Sequence, residues 1–245
     1  MIHKSPALLL SKLWHSAIRP SLWPMLIRGV APAIEHHRLL GKLDFDFLID
    51  VGANRGQFSM LAKMLHPHVR ISAYEPLESE ADYFRIFASR WSDVALHVLA
   101  LGERFGTEKI HLSRRPDSSS LLPIGNTQQG LFPNTDEVGQ RSVHVARLDD
   151  LPSHWQHGRR ILLKIDVQGF ELSVLRGAQK ALAHFKYVLV ECSSVTLYEG
   201  QALFPEVLTF LEGAGYAVTA RTNEQWSEGT LVQADYLFTR NTDPV

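Results

Sequence analysis

The chain has 245 residues, 45% hydrophobic and 21% charged, with a formal net charge of −1. That length suits one large domain with a small appendage, and the composition is that of a globular protein able to bury a sizeable core. Near-neutrality excludes a global electrostatic pull toward nucleic acid, and the single cysteine, Cys192, excludes an internal disulfide and suits a reducing compartment.

Residues 1–44 read as an N-terminal helical extension, distinct from a domain spanning 45–245. Lys4, Lys12, Arg19 and Arg28 all precede the first acid, Glu35. Leu10, Leu13, Trp14, Ala17 and Ile18 make a helical stripe, and Pro20, Pro24 and Pro32 divide the rest of the extension into short pieces. Such a segment either touches a membrane surface or an anionic substrate, or packs as a helix on the domain; packing is the favoured reading. The short apolar run that ends at Leu10 is cut by Lys12 without a clean cleavage site, and no run approaches the roughly 20 residues of a spanning helix. The expected location is cytoplasmic.

From Phe47 onward strands and helices alternate, which predicts a doubly wound, mostly parallel α/β sheet. Phe47–Val51 reads as a strand and Gln57–Leu65 as a helix. Val69–Tyr74 is a strand and Glu78–Ser89 a helix. Val94–Leu101 is a third strand, closed by Gly102. The stretch 103–147 breaks the rhythm. Lys109–Leu112 and Val143–Ala146 look like short strands around a polar segment rich in Ser, Pro and Gly. Such an excursion fits a lid or binding loop, or equally an ordinary hairpin with a loose tip. Ile161–Ile165 resumes the core, followed by a helix over Phe170–Phe185, a strand at Tyr187–Val190, a helix over Pro205–Ala214 and a strand at Tyr216–Ala220. Residues 221–232 read as a polar loop, and Ala234–Thr239 as the last strand.

Acidic residues stand at the carboxyl ends of four predicted strands: Asp50, Glu75, Asp166 and Glu191. In an open parallel sheet those ends line the edge where ligands bind. The first strand runs into Asp50-Val-Gly-Ala-Asn-Arg-Gly56, a glycine turn ahead of a helix start. Its spacing is not the G-x-G-x-x-G of dinucleotide sites, which speaks against a nicotinamide-dependent oxidoreductase. An acid beside the turn disfavours phosphate and suits an ammonium group. Glu75 lies 19 residues past Gly56, where α/β folds place the acid that accepts ribose hydroxyls. The ligand that fits is a nucleoside carrying an amino acid and no phosphate: S-adenosylmethionine.

These residues resemble a known family. The Asp50–Gly56 turn, Tyr74-Glu-Pro76 and Ala100-Leu-Gly102 are similar to successive motifs of class I S-adenosylmethionine-dependent methyltransferases. Ser118-Ser-Ser-Leu121, Arg147-Leu-Asp-Asp150, Leu163-Lys-Ile-Asp-Val-Gln-Gly-Phe-Glu171 and Val174-Leu-Arg-Gly-Ala178 together resemble the FkbM family, members of which methylate hydroxyl oxygens. Leu197-Tyr-Glu-Gly200 and Gln233-Ala-Asp-Tyr-Leu-Phe238 extend the likeness over roughly 45–240. The resemblance implies a seven-stranded sheet with its last strand antiparallel. It implies that Gly52, Asn54 and Gly56, aided by Asp50, hold the methionine end of the cofactor. Glu75 would take the ribose, and the main chain at Ala100 and Leu101 would flank the adenine. The acceptor would be a hydroxyl on a sugar, glycoconjugate or secondary metabolite.

A hydroxyl is a poor nucleophile, so a general base or a metal is expected. The candidates are Asp166 first, then Glu191 and Glu171, with His144 further off. Glu171 falls in the first turn of a predicted helix, where an acid is favourable for structural reasons alone. Lys164, within its strand, is expected to point away from the acids around Asp166, and Gln168 removes one possible extra acid. Paired carboxylates could hold Mg²⁺, but the histidines, including His154 and His157, form no convincing ligand pair. Arg114 and Arg115 could grip an anionic group on the acceptor, or belong to a solvated loop, which is the favoured reading. The competing reading is a binding partner that keeps the cofactor pocket without turnover.

Overall fold

The computed structural model describes residues 23–151 and 160–241. The stripe at residues 10–18 and the pair His154/His157 lie outside the described residues. A seven-stranded sheet runs in the order β3-β2-β1-β7-β8-β10-β9, with β1 Phe47–Val51, β2 Arg70–Tyr74, β3 Val94–His97, β7 Ile161–Ile165, β8 Phe185–Ser193, β9 Tyr216–Ser227 and β10 Thr230–Arg240. Strands β3, β2, β1, β7 and β8 pair in parallel. Strand β10 is antiparallel to both β8 and β9, so the last strand is the reversed one and lies inside the edge.

The buried strands sort their side chains by parity, as alternation requires. Phe47, Ile49 and Val51, with Ile161, Leu163 and Ile165, face a core with α6 (Glu171–Gly177) and α7 (Phe204–Gly213). Leu48 and Leu162 face the opposite core. That core is built with α3 (Gln57–Leu65) and α4 (Glu78–Ala88) through Met60, Leu61, Phe84 and Phe87. Met25 of α1 (Trp23–Ile27), Val30, Ala33, Ile34 and Leu40 of α2 (His37–Leu40) join it. Residues 23–44 therefore pack on the α3 face.

Four elements differ from the sequence reading. The third strand splits: β3 stops at His97, and Ala100–Leu101 turns away as β4 into a second sheet, β4-β6-β5. The excursion has longer strands and is more regular than expected. Strands β5 Gly106–Ser113 and β6 Glu137–Ala146 form an antiparallel ribbon whose tip carries a 3-10 turn and α5 (Asn126–Leu131). The helix expected over 170–185 ends at Gly177, and a 3-10 turn follows at Ala181–His184. A Cβ at Gly177 would sit 1.9 Å from the Gly102 carbonyl oxygen, so this glycine is where the helix closes on β4. Asp149 accepts N–H bonds from Lys180 and Ala181 to start the next turn. Finally, residues 221–232 are no loop. Strands β9 and β10 continue to a two-residue turn at Glu228 and Gly229, whose φ values of 49° and 80° give the twist a tight hairpin needs.

Candidate active site

One cavity of about 500 Å³ opens at the carboxyl ends of the parallel strands, a size ordinary for a cofactor-plus-substrate site. It lies where the crossovers from β1 diverge, β2 on one side and β7 on the other, the topological switch point of an open sheet. The turn after β1 is fixed by close approach. Gly52 has φ +75°, and a Cβ there would lie 1.9 Å from the Asp166 carbonyl oxygen in the turn after β7. Gly52 and Ala53 both donate backbone N–H to the Tyr74 carbonyl. Asn54 takes the left-handed conformation and Gly56 the N-cap of α3.

Gly52, Asn54, Glu75, Ala100, Leu101, Asp166 and Glu191 all line this cavity. Glu75 accepts from the backbone N–H of Asn54 at 2.8 Å and of Leu77 at 2.9 Å, which ties the β1 and β2 turns together. Burial pushes its pKa up to about 7 against the pull of those two donors. Beyond it, Leu77, Ala100 and Ile110 belong to one small apolar cluster that also lines the cavity.

Two expected contacts fall elsewhere. Asp50 is fully buried beneath the turn and is not part of the cavity wall. Ser59 donates to one of its oxygens at 2.6 Å, and the other lies 3.5 Å from the Lys164 ammonium. Gly56 also stays outside the wall, packed against Phe84 and Phe87.

Lys164 contradicts the expectation that it points away. It stands opposite Asp50 in the β1–β7 register and shares parity with Asp166 two residues on. Its ammonium lies 3.5 Å from both carboxylates and donates to the Gly52 carbonyl at 3.3 Å. Burial alone would lower its pKa; the charges of Asp166 and Asp50, then Asp235 and Glu191, outweigh that and hold it raised.

The same parity brings Glu191 on β8 and Asp235 on β10, register partners, to this face. Gln168 is the hub that sequence reasoning undervalued. Held in a left-handed conformation next to Gly169, it donates one amide nitrogen to Asp166 at 2.8 Å and to Glu191 at 2.9 Å. The Tyr198 hydroxyl donates to its side-chain oxygen, and Ser120 to its carbonyl. Gln233 donates to the second oxygen of Glu191. Burial, then the Asp166 and Asp235 carboxylates, push the Glu191 pKa well up. Asp166 is the open member, its side chain 37% exposed.

Glu171 does not line the cavity. One of its oxygens accepts N–H bonds from Val167 and Gly169, so it clamps the turn after β7. Burial raises its pKa to about 7. His144 is exposed on β6 and outside the cavity wall. Arg114 pairs with Asp136 at the surface, whereas Arg115 lines the cavity and pairs with Asp117. Among the described residues no group of three or more His, Cys, Asp or Glu is placed to hold a metal ion.

The ribbon tip closes one side of the cavity through Ser118–Ser120. It is pinned there: Ser118 accepts from Tyr198, His111 and Ser120 bridge, and Ile124 bridges to Tyr198. The opposite wall was not foreseen. His36, Asn223, Gln233 and Asp235 form it. A bulge in β9, opposite Gln233–Asp235, carries left-handed Asn223 out of the ladder so that its amide meets Asp235 at 2.6 Å.

A sheet with its reversed last strand inside the edge, a glycine turn after β1 and a carboxylate after β2 facing one cavity together define a class I S-adenosylmethionine-dependent methyltransferase. The sequence comparison narrows the class. The model of the "Methyltransferase FkbM domain" matches residues 50–218, and the chain belongs to that family. It is 28% identical over 213 residues to "Methyltransferase 1" of Beauveria bassiana, covering 81% of this chain and 82% of that one. It is 26% identical to the 2-O-methyltransferase NoeI of Sinorhizobium fredii, covering 76% and 80%. It is 28% identical to the 31-O-demethyl-FK506 methyltransferase FkbM of Streptomyces tacrolimicus, covering 71% and 74%.

Proposed function

We propose that this methyltransferase acts on a hydroxyl oxygen of a small acceptor, a sugar, glycoconjugate or secondary metabolite. The observation that carries this reading is the cavity at the carboxyl ends of the strands, in which the Gly52 and Glu75 turns stand beside a half-open carboxylate, Asp166, held by Gln168 and Lys164. Two relatives whose names specify O-methylation support it.

The residues fit the cofactor. Glu75 lines the wall together with the apolar Leu77, Ala100 and Ile110, which suits a ribose and its base. Gly52 and Asn54 leave room for the amino-acid end. Bound there, S-adenosylmethionine supplies an electrophilic methyl group. The protein's part is to hold the acceptor in line, worth several orders of magnitude in rate, and to receive the hydroxyl proton. In this reading Asp166 receives it; what supports the choice is its exposure on one side, its hydrogen bond from the Gln168 amide and the Lys164 ammonium at 3.5 Å. Glu191, buried and bonded on both oxygens, is placed to orient Gln168. Residues 1–44 act in this reading as a helical extension on a methyltransferase domain of 45–245, in a reducing compartment such as the cytoplasm.

The test is methyl transfer from labelled cofactor into a sugar-containing extract by the wild type and Asp166→Asn. Turnover should fall roughly 100-fold or more, while S-adenosylhomocysteine binding by calorimetry stays within about threefold. Unchanged turnover removes Asp166 from the chemistry. Stabilisation by NAD but not by S-adenosylhomocysteine removes the whole reading.

A further inference from the structure

The charged groups of the cavity wall around Asp166 come with partners. Glu191 accepts from Gln168 and Gln233, and Asp235 from Asn223. The side chains there that are cationic or can become so also face carboxylates. Arg115 lies 3.0 Å from Asp117, Lys164 3.5 Å from Asp166 and His36 3.8 Å from Asp235. Gln128 differs. It is 3% exposed and lines the cavity, yet its buried side-chain oxygen has no hydrogen-bond partner among the described residues. A buried amide left in that state costs stability, and such groups are rare in native proteins.

The residue is firmly held. Phe132 and Thr135 both donate to its backbone carbonyl. Phe132, one turn further on, also lines the cavity and packs with Ile124, Leu197, Tyr198 and Val232. Backbone bonds from Gly125 to Leu197 and from Glu199 to Pro123 dock α5 on that segment. A Cβ at Gly125 would lie 2.6 Å from the Leu197 carbonyl oxygen, so the approach is close. The Tyr198 hydroxyl reaches Gln168, whose amide meets Asp166 and Glu191. Gln128 therefore belongs to the frame that sets the Asp166 end of the cavity. The apolar residues beside Glu75 form a separate cluster.

An amide without a protein partner, in a wall whose charges are already paired, suits an uncharged polar group. A hydroxyl both donates and accepts, so it pairs with either end of an amide. We propose that Gln128 selects the acceptor, by hydrogen-bonding a second hydroxyl of the molecule whose first hydroxyl meets Asp166. The acceptor is then a polyhydroxylated compound that brings no charge to this wall. This rests on the methyltransferase reading and adds a specificity residue to it.

Gln128→Met, which keeps the length of the side chain and removes its amide, tests this in the full chain. The variant should melt at or above the wild type, because an unpaired polar group is gone. Its S-adenosylhomocysteine affinity by calorimetry should stay within about twofold. Label transfer from S-adenosylmethionine into the sugar-containing extract should fall about tenfold when the extract is limiting, and recover as the extract is concentrated, the signature of lost acceptor binding. After acid hydrolysis, the wild type's labelled product should pass both an anion and a cation exchanger. A lower melting temperature makes Gln128 a structural residue. Unchanged transfer removes it from the acceptor, and weakened S-adenosylhomocysteine binding moves it to the cofactor. Label retained on either exchanger refutes the uncharged acceptor. Each of these overturns the proposal and leaves the methyltransferase reading standing. A wild type that neither binds S-adenosylhomocysteine nor labels the extract removes both.

Discussion

Replacing Glu171 by Gln separates a catalytic acid from a structural one. Glu171 is buried, and its folded pKa stands near 7 against an ordinary 4.5. Between those values an unfolded chain has released a proton that the folded chain keeps. Stability therefore falls as pH rises through that window, and above 7 the full cost is present. A gap that wide is worth about 3 kcal/mol. Gln cannot ionise, yet its side-chain oxygen can still accept from Val167 and Gly169. Glu171→Gln should match the wild type at pH 4.5 and gain about 3 kcal/mol at pH 8. In a chain of this size that is roughly 5–12 °C in melting temperature. Thermal denaturation across pH 4.5–8, with methyl transfer measured alongside, checks both halves. The variant should keep its turnover, because Glu171 holds a turn and does not face the cavity. A variant that melts no higher at pH 8 refutes the linkage argument. One that melts higher but loses turnover restores Glu171 as a base.

Gly52→Ala should remove about 2–5 kcal/mol, combining left-handed strain with a Cβ driven into the Asp166 carbonyl; a melting temperature within 2 °C of the wild type would show that the turn yields. Tyr198→Phe should cost about 1–3 kcal/mol, because the Gln168 and Ser118 oxygens, which share its one hydroxyl proton, lose that donor. Its turnover should fall with it as Gln168 loosens over Asp166, while S-adenosylhomocysteine affinity holds.

Much of the site was legible because strand ends are local. Acids terminating apolar runs locate the carboxyl edge of a parallel sheet, and Glu75, Asp166 and Glu191 are found there. What sequence reading missed is pairing across strands. Lys164 was expected to point away from Asp166, but residues two apart on an extended chain share a face, so parity held the answer. Sequence reading also missed that Asp50 is buried beneath the turn: its register partner is Lys164, whose ammonium lies 3.5 Å from it. Glu228-Gly229 escaped notice because Glu-Gly is a weaker hairpin signal than Asn-Gly, and with it went the bulge that presents Asn223. Gln168 looked like a lost acid, whereas its amide is what lets Asp166 and Glu191 stand close together.

The electrostatics of that face explain why an amide serves there. Asp50, Asp166, Glu191 and Asp235 are gathered on one side of the sheet around one lysine. A further carboxylate at position 168 would stand against two others within hydrogen-bond reach, and like charges that close cannot all ionise. The two amide hydrogens of Gln168 instead meet one oxygen from each neighbour. The arrangement leaves Asp166 oriented and open to the cavity while Glu191 is locked from both sides. In the proposed mechanism the open acid, Asp166, takes the proton, and Glu191 holds the geometry in which it does so.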